Sequence, residues 1–371
     1  MSKVSCRPAW LEIDLKAVER NIFLMRSLVG TETMVMAVVK ADGYGHGAVQ
    51  VAAAALRAGA QRLGVALLDE ALELRQAGVG VPIQVLSEIP SQGADEAVEQ
   101  RIICTVYSAE AAEALSNAAI RQGKNAMVHM KVDTGMHRIG VRPALFKGLL
   151  RQVAAMPGID VEGCFTHFAL ADEPTDPYTE KQLDLFLRLR EEHCSEIPIW
   201  HAANSAGAFF FPDSRLDMVR IGIAMYGLQP SAARSAPVEL FPVLSLRARL
   251  SYVQDVQAGE GVSYGLTFRP GENTRIGTVP LGYGDGYSRL LSNRASVLIM
   301  GRRYPVVGNV CMDQLMVDLD GSAYEPGEAV TLVGADGQES VTLEELADIV
   351  GTINYELACM LGARLPRLYL P

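Results

Sequence analysis

Short apolar, β-branched runs alternate with Ala- and Leu-rich amphipathic runs over more than half of the chain. The short runs are typical of strands buried on both faces of a parallel sheet, and the longer runs between them are typical of helices. Eight strands are predicted in this way, at Met34–Lys40, Leu63–Leu67, Ile83–Ser87, Ile102–Val106, Ala126–Val132, Ile159–His167, Ile197–Ala202 and Met218–Ile221. Eight strand-then-helix units in tandem predict an α/β fold, a closed (β/α)8 barrel of the TIM type rather than an open doubly wound sheet.

The pattern changes near Pro237, where short strands between Gly, Pro and Asp turns replace the strand–helix alternation. One later helix is predicted, at Thr342–Val350. The stretches predicted to be strands are Leu244–Gln254, Thr274–Pro280, Ala295–Ile299, Tyr304–Val307, Leu315–Asp318 and Ala329–Val333. We therefore expect a barrel domain over residues 11–240 and a smaller, mostly β domain over residues 241–371, with residues 1–10 packing on the second.

The composition is that of an ordinary globular protein, with 49% hydrophobic and 20% charged residues. A net charge of −10 argues against a nucleic acid or an anionic membrane as a partner. The six cysteines are scattered without CxxC pairs, so neither a metal site nor a disulfide framework is predicted. Met1–Trp10 lacks the apolar core of a signal peptide and no run is long enough to span a bilayer, so we expect a cytoplasmic protein.

Lys40 closes the first predicted barrel strand and precedes glycines at alternating positions, Gly43, Gly45 and Gly47. In a barrel enzyme the carboxyl ends of the strands carry the catalytic groups. A desolvated lysine amine has a lowered pKa and can attack a carbonyl carbon to form a Schiff base. A solvated lysine at a strand end is the commoner alternative, so this stretch alone leaves both interpretations open.

Two further strand ends carry ionisable groups. Arg138 follows the fifth strand and could clamp a carboxylate, although a surface ion pair with Asp133 explains it equally well. His167 ends the sixth strand, where a lone histidine is more often a hydrogen-bonded structural group than a base.

Small and hydroxylated residues follow the seventh and eighth strands, in Asn204-Ser205-Ala206 and Arg220-Ile221-Gly222-Ile223. The loops after these two strands are the usual phosphate cradle of a barrel, because backbone N–H groups and a helix N-terminus reach an anion there. A simple helix N-cap at Ser205 is the alternative, and it is compatible with a phosphate site.

The second domain places tyrosines among glycines, in Gly261-Val262-Ser263-Tyr264-Gly265 and in Leu281-Gly282-Tyr283-Gly284-Asp285-Gly286-Tyr287. Buried tyrosines usually only pack, but flanking glycines expose the ring and its hydroxyl. Composition alone predicts a strand end at Val310-Cys311-Met312-Asp313-Gln314. It assigns no function to Ile353-Asn354-Tyr355-Glu356.

These motifs together give the chain its resemblance to a known family. From about Arg7 to Arg367 it resembles the bacterial alanine racemases, which are pyridoxal-phosphate enzymes built from a barrel and a β domain. The motifs, in order, are AVVKADGYGHG, KVDTGMHRIG, THFA, HAANSAG, VRIGIAMYG, GVSYG, PLGYGDGY, VCMDQ and NYE. Asn309 departs from the pattern, since an arginine is expected there more often; it lies outside these motifs in the sequence.

The resemblance implies a role for each matching residue. Lys40 would bind pyridoxal 5'-phosphate covalently and act as one acid/base, and Tyr264 would be the second base. Arg220 would face the pyridine nitrogen with support from His167, and Arg138 would hydrogen-bond near the cofactor phenolate oxygen. The residues implied to bind the cofactor are Lys40, Tyr44, Asn204, Ser205, Arg220, Gly222, Ile223 and Tyr355, with the phosphate held by Tyr44, Ser205, Gly222, Ile223 and Tyr355.

At the substrate end, Met312 and Tyr283 would shape the pocket, Asp313 would support that wall, and Arg138 would also contact substrate. Lys131 resembles a position that is often a carbamylated lysine, whose negative charge orients Arg138. No metal ion is implied. The family also implies a homodimer whose active sites are completed across subunits.

Racemisation needs two bases on opposite faces of a planar intermediate, because a proton leaves one face and returns to the other. A permanently charged arginine keeps the pyridine nitrogen unprotonated, which weakens the electron sink and favours reprotonation over transamination. The resemblance therefore implies interconversion of L- and D-alanine, with D-alanine supplied for peptidoglycan precursors.

Three alternatives remain open at the level of sequence. The first is a racemase of the same fold that acts on serine or on a broad set of amino acids. The second is a barrel decarboxylase of basic amino acids, against which Arg220 speaks because an acid should pair with the pyridine nitrogen. The third is a cofactor-binding protein without activity, against which the extra domain with Tyr264 speaks.

Overall fold

The computed structural model describes residues 7–371, which form two compact units. The first unit comprises Val18–Gly43 and Ala48–Phe241, and the second comprises residues 7–17, Tyr44–Gly47 and Pro242–Pro371. None of the helices in the described residues is both long and apolar enough to cross a membrane.

The first unit is built on eight parallel strands, of which the first seven pair in chain order. After β1 (Ala9–Asp14), which belongs to the second unit, these strands are β2 (Met34–Val38), β3 (Arg62–Val65), β4 (Ile83–Val85), β5 (Ile103–Val106), β6 (Ala126–Lys131), β7 (Ile159–Phe165), β8 (Ile199–His201) and β9 (Met218–Ile221). β2 pairs with β9, and backbone hydrogen bonds from Asp217 to Trp200 (3.1 Å) and from Arg220 to Ala203 (3.0 Å) join β9 to β8. The predicted (β/α)8 barrel is therefore confirmed.

Helices lie between successive barrel strands, and α1 precedes the first of these strands. They are α1 (Leu15–Val29), α2 (Lys40–Tyr44), α3 (Ala48–Arg57), α4 (Leu68–Gln76), α5 (Ala94–Glu99), α6 (Ala109–Gln122), α7 (Pro143–Ala154), α8 (Tyr178–His193) and α9 (Ser205–Phe210). α6 has a clear local origin: Ser108 Oγ accepts a hydrogen bond from the Ala111 N–H group (3.2 Å), and Gly123 ends the helix in the left-handed conformation.

The second unit contains a mixed sheet of ten strands, so the prediction of a mostly β domain is confirmed. With β1, its strands are β10 (Leu244–Arg249), β11 (Tyr252–Val256), β12 (Thr274–Val279), β13 (Ser296–Ile299), β14 (Arg302–Val307), β15 (Leu315–Asp318), β16 (Ala329–Asp336), β17 (Glu339–Val341) and β18 (Arg367–Leu370). β1 pairs antiparallel with β10 and parallel with β18. The predicted barrel start at residue 11 therefore falls inside a strand of the second unit, while residues 1–6 lie outside the described chain.

Two further predictions for this unit were wrong. The stretch predicted as one strand over Leu244–Gln254 forms two, because β10 pairs with β16 whereas β11 pairs with β12. The helix α10 (Leu343–Val350) is followed by a second helix, α11 (Asn354–Met360), which carries Tyr355. α11 is short and follows the left-handed Gly351 closely, so its helical periodicity is weak in the sequence.

The backbone after Lys40 turns in the left-handed sense. The residues with positive φ are Ala41 (53°), Asp42 (52°), Gly43 (60°) and Tyr44 (52°). Each L-residue in this conformation costs about 1–2 kcal/mol, because Cβ approaches the following carbonyl oxygen. α2 is therefore a strained turn at the end of a buried strand rather than a regular helix.

Two side-chain carboxylates hold this turn. The Ala41 N–H group donates to Glu70 (2.6 Å), and the Ala48 N–H group donates to Asp42 (2.9 Å). Because Lys40 immediately precedes Ala41, these bonds determine how the lysine leaves the strand. Backbone strain maintained in this way is common at functional sites.

We expect Ala41→Gly to raise the free energy of unfolding by up to about 1 kcal/mol, because glycine adopts positive φ without a Cβ contact. Ala53→Gly is the matched control: Ala53 is also exposed but lies within the regular helix α3, where glycine should cost about 1 kcal/mol. Urea denaturation of both variants measures the two effects. An equal loss of stability in both would show that Ala41 carries no strain.

Candidate active site

Arg220, on β9, is buried and saturated with hydrogen bonds on its two terminal nitrogens. Nη1 donates to His201 Nδ1 (2.8 Å) and to the His201 carbonyl (3.2 Å). Nη2 donates to the carbonyls of Thr166 (2.8 Å) and Ala202 (2.8 Å) and to His167 Nδ1 (3.1 Å). Within residues 7–371, no acceptor contacts its Nε–H group. The guanidinium therefore has one N–H group left for a ligand.

Burial, with the positive charge of Arg138, lowers the pKa of Arg220 to about 9. The guanidinium is still protonated at neutral pH. Burial and the positive charge of Arg220 hold the pKa of His167 well below its ordinary value, so His167 is neutral and accepts through Nδ1. The predicted support of Arg220 by His167 is thus a direct hydrogen bond.

Lys131 ends β6 and is buried. Burial, with the positive charges of Arg220, Arg138 and Lys40, lowers the pKa of its amine to about 7. Its Nζ lies 4.5 Å from the centre of the Phe165 ring. A substantial fraction of the Lys131 amine is therefore uncharged, and nucleophilic, at neutral pH.

Arg138 is exposed, and the ion pair with Asp133 considered from the sequence is absent from the described chain. Asp133 instead accepts from the N–H groups of Gly135 (3.0 Å) and His137 (2.9 Å) and from His137 Nδ1 (3.0 Å). Burial alone would raise the pKa of Asp133, but these hydrogen bonds lower it below its ordinary value. The Arg138 guanidinium is left available for a ligand carboxylate or phenolate.

Ser205 lies where the loops after β8 and β9 meet. Its buried Oγ accepts from the N–H groups of Gly222 (3.2 Å) and Ala224 (3.4 Å). The N-cap of α9 is Asn204 rather than Ser205, because Asn204 Oδ1 accepts from the Gly207 N–H group (2.9 Å). Ile223, the residue after Gly222, is also buried here.

Lys40 is half-buried at the end of β2, and its charge acts on both Lys131 and His167. The sequence analysis missed Glu70, which anchors the turn after Lys40. Besides Ala41, it accepts from the N–H groups of Ala66 (2.8 Å) and Leu67 (3.1 Å). Glu70 is the third residue of α4 and accepts from the N-cap N–H group as in a capping box, but the N-cap residue is Leu67, so the usual Ser/Thr-x-x-Glu signature is absent from the sequence.

In the second unit, Tyr44 and Tyr355 lie together, with ring centroids 6.3 Å apart. Burial and the nearby Cys359 raise the pKa of Tyr44, so its hydroxyl keeps its proton. A protonated hydroxyl is the form that donates to a phosphate oxygen.

Tyr264 is 74% exposed and sits in a turn that Asn309 holds. Asn309 Nδ2 donates to the Tyr264 carbonyl (2.6 Å), and Ser263 Oγ donates to the Asn309 carbonyl (2.6 Å). The departure at Asn309, which lies apart from the motifs in sequence, therefore contacts the Tyr264 turn directly.

Met312 and Tyr283 are neighbours, and both are exposed, at 54% and 42%. The Tyr283 N–H group donates to the Cys311 carbonyl (3.0 Å). A Cβ on Gly282 would lie 2.1 Å from that carbonyl oxygen, so only glycine permits this approach. Asp313, also exposed, accepts from Arg364 Nη2 (2.5 Å).

The donors described here suit an anion and an electron-rich ring nitrogen. In the described residues, no group of three or more His, Cys, Asp or Glu side chains could hold a metal ion.

Two family models match the chain almost end to end. The alanine racemase N-terminal domain matches residues 13–230, and the alanine racemase C-terminal domain matches residues 243–369. An alanine racemase of Symbiobacterium thermophilum is 45% identical over 367 residues, which cover 98% of this chain and 97% of that protein.

Solved structures agree with these matches. The alanine racemase of E. faecalis is 41% identical with a TM-score of 0.94, and the match covers 100% of both chains. A histidine racemase of Leuconostoc mesenteroides is 30% identical with a TM-score of 0.91, again over 100% of both chains. The chain therefore belongs to the alanine racemase family.

Proposed function

We propose that the protein is a pyridoxal-phosphate-dependent isomerase that interconverts L- and D-alanine. The observation that carries the proposal is the buried Arg220, protonated, fixed through both terminal nitrogens and left with one donor, Nε–H. A fixed cation of this kind suits a pyridine nitrogen that must stay unprotonated.

The residues present fit the cofactor. Lys40 offers an amine for its aldehyde, and Arg220 offers an N–H group for its ring nitrogen. Ser205 is the first residue of α9 and its Oγ lies 3.2 Å from the Gly222 nitrogen, so we assign Ser205, Gly222 and Ile223 to its phosphate. We assign the hydroxyls of Tyr44 and Tyr355 to the same phosphate. Once bound, pyridoxal phosphate withdraws electrons from the amino acid's α-carbon and makes the α-proton removable.

We assign the two proton transfers to Lys40 and Tyr264. The Lys40 amine takes or returns the proton on the face of the D-enantiomer, and the Tyr264 hydroxyl does so on the face of the L-enantiomer. A tyrosine acts as a base only through its anion, so Tyr264 needs a cation nearby. Arg138 positions the substrate carboxylate and supplies that positive charge.

We further propose that Lys131 is carbamylated. Its neutral amine can add to carbon dioxide, forming an N–C bond and releasing one proton, which leaves a carboxylate on Nζ. The pKa of about 7 supports this reaction at neutral pH. The new negative charge would compensate the positive charges of Arg220, Arg138 and Lys40 and would orient Arg138.

Met312, Tyr283 and Asp313 are assigned to the substrate end of the pocket. The alternative is a broader racemase, since the neighbour from Leuconostoc mesenteroides is a histidine racemase. Circular dichroism of a panel of amino-acid enantiomers incubated with the enzyme distinguishes the two.

We also propose a homodimer whose two sites each use residues of both subunits. The support is the exposure of three residues that the proposal places at the reacting amino acid: Tyr264, Met312 and Tyr283. Large apolar side chains grouped on a surface mark an interface, and a two-fold dimer would cover both copies at once.

The cofactor should be attached to Lys40. We expect purified protein to absorb visible light, and borohydride reduction to fix the cofactor irreversibly. Peptide mapping should then find the modification on the peptide containing Lys40 and not in Lys40→Ala. Modification of another lysine would overturn the assignment.

Tyr264→Phe should lower racemisation in both directions by about a hundredfold or more, because each turnover needs both bases. The ring is kept, so packing is unchanged. In deuterated solvent, Lys40 should still exchange the α-proton of D-alanine while L-alanine exchanges hardly at all, as NMR would show. Equal exchange of both enantiomers would indicate a single base.

Mixing inactive Lys40→Ala protein with Tyr264→Phe protein should restore activity if the sites are shared. Roughly a quarter of wild-type activity is expected, since about half of the dimers are hybrids with one intact site each. Subunit exchange is verified by mass spectrometry of differently tagged chains. No recovery after verified exchange would place both bases in one chain.

A further inference from the structure

A line of buried polar side chains runs through the barrel from Arg220 to Glu162. Arg220 Nη1 contacts His201 Nδ1 (2.8 Å), His201 Nε2 contacts His129 Nδ1 (2.9 Å), and His129 Nε2 contacts Glu162 Oε2 (2.9 Å). Arg62, the first residue of β3, closes the line with two bonds to the Glu162 carboxylate (2.7 and 2.8 Å). Both histidines are fully buried.

The groups at the two ends of the line, Arg220 and Glu162, determine which nitrogen of each imidazole carries the proton. Arg220 can only donate, so His201 must accept at Nδ1 and carry its proton on Nε2. His201 therefore donates to His129 Nδ1, and His129 carries its own proton on Nε2. That proton is donated to Glu162, which as a carboxylate can only accept. Both imidazoles are neutral Nε2–H tautomers.

The ionisation of each member agrees with this assignment. Burial alone would raise the pKa of Glu162, but hydrogen bonds from His129 and Arg62 lower it to about 2. Burial, with the charge of Arg220, holds the pKa of His201 well below its ordinary value. Burial likewise lowers the pKa of His129.

The alternative proton arrangement fails at Arg220. If His129 carried its proton on Nδ1, it would donate to His201 Nε2, and His201 would carry its proton on Nδ1. That N–H group would face an N–H group of Arg220, and two donors repel each other. The guanidinium would then have to leave its present position.

We propose that Glu162 is a positioning residue for Arg220, acting through the tautomers of His129 and His201. It contacts neither the cofactor nor the substrate assigned above. By fixing which nitrogen of each imidazole accepts, it fixes the direction of the remaining Arg220 donor, Nε–H. The kinetic part of this inference rests on the proposed racemase function, whereas the tautomer part does not.

Gly163, the residue after Glu162, leaves the space that the His129 imidazole occupies. A Cβ on Gly163 would lie 2.5 Å from Cε1, 2.6 Å from Nδ1 and 2.8 Å from Nε2 of His129. These distances are too short for any Cβ contact, so the imidazole occupies space that only a glycine leaves. Gly163→Ala should therefore displace His129 without changing a charge.

Nitrogen-15 NMR of histidine-labelled protein tests the tautomers directly, before any cofactor is added. The chain has six histidines, so single His→Gln variants assign the signals. In the wild type, His129 and His201 should both give Nε2–H tautomers. In Glu162→Gln, the amide oxygen should turn to the Arg62 cation and the amide NH2 group should face His129. Both imidazoles should then shift towards Nδ1–H, and the Arg220 Nε–H signal should move.

Steady-state kinetics test the consequence. We expect Glu162→Gln to lower kcat for alanine by about tenfold or more, the loss typical of one charge-assisted hydrogen bond. KM should stay within about threefold, because no substrate contact is removed. Gly163→Ala should lower kcat in the same way. Asp160→Asn is the control, since it neutralises an exposed acid on the same strand, and it should change neither the tautomers nor kcat.

The outcomes are separable. Unchanged tautomers in Glu162→Gln, or changed tautomers with an unmoved Arg220 signal, would overturn the positioning role whatever the enzyme's substrate. If the wild-type protein is an active racemase, changed tautomers in Glu162→Gln with an unaltered kcat would overturn the positioning role as well. If the wild-type holoenzyme racemises no amino acid, the proposed function fails, and the NMR result on Arg220 alone decides the positioning role.

Discussion

A positive charge held inside the barrel is the constraint on which the rest of the site depends. Arg220 is 3% exposed, so its guanidinium has lost its water and must be satisfied by protein acceptors. Three backbone carbonyls and two imidazole nitrogens supply them. An imidazole can accept only when it is neutral, so the buried cation determines the ionisation of its neighbours.

The charge of Arg220 also affects the ionisable and aromatic groups around it. Burial and the positive charges of Arg220, Arg138 and Lys40 lower the pKa of the Lys131 amine to about 7. Phe165 is in contact with several members of the group: its ring stacks on His201 with centroids 4.8 Å apart, and it lies 5.4 Å from the Arg220 guanidinium carbon. An aromatic face stabilises cations without adding a charge. The carboxylate of Glu162 lies at the far end of the hydrogen-bonded line, paired with Arg62.

Strain and close approach place the remaining groups. Lys40 precedes a left-handed turn that Glu70 and Asp42 hold, so the lysine's departure from its strand is determined by backbone conformation. In the second unit, Gly282 admits the Cys311 carbonyl and brings Tyr283 beside Met312. In both places the backbone conformation positions the side chain. A packed backbone holds a side chain more firmly than a flexible loop does.

The sequence by itself determined the barrel and the mostly β second unit, because hydrophobic periodicity and turn residues are local signals. It also placed Lys40, His167, Arg220 and Ser205 at strand ends, which a parallel barrel must bring to one rim. Only the tertiary structure decided which of them touch, as in the bond from Arg220 to His167 and the meeting of Ser205 with Gly222. It alone joined Arg62, His129 and Glu162 into one line, since they lie on three different strands and no local pattern relates them. Gly163 shows the reason. In the sequence it is an ordinary glycine in a strand, whereas in the fold the His129 imidazole, from another strand, occupies the space that a side chain at this position would need.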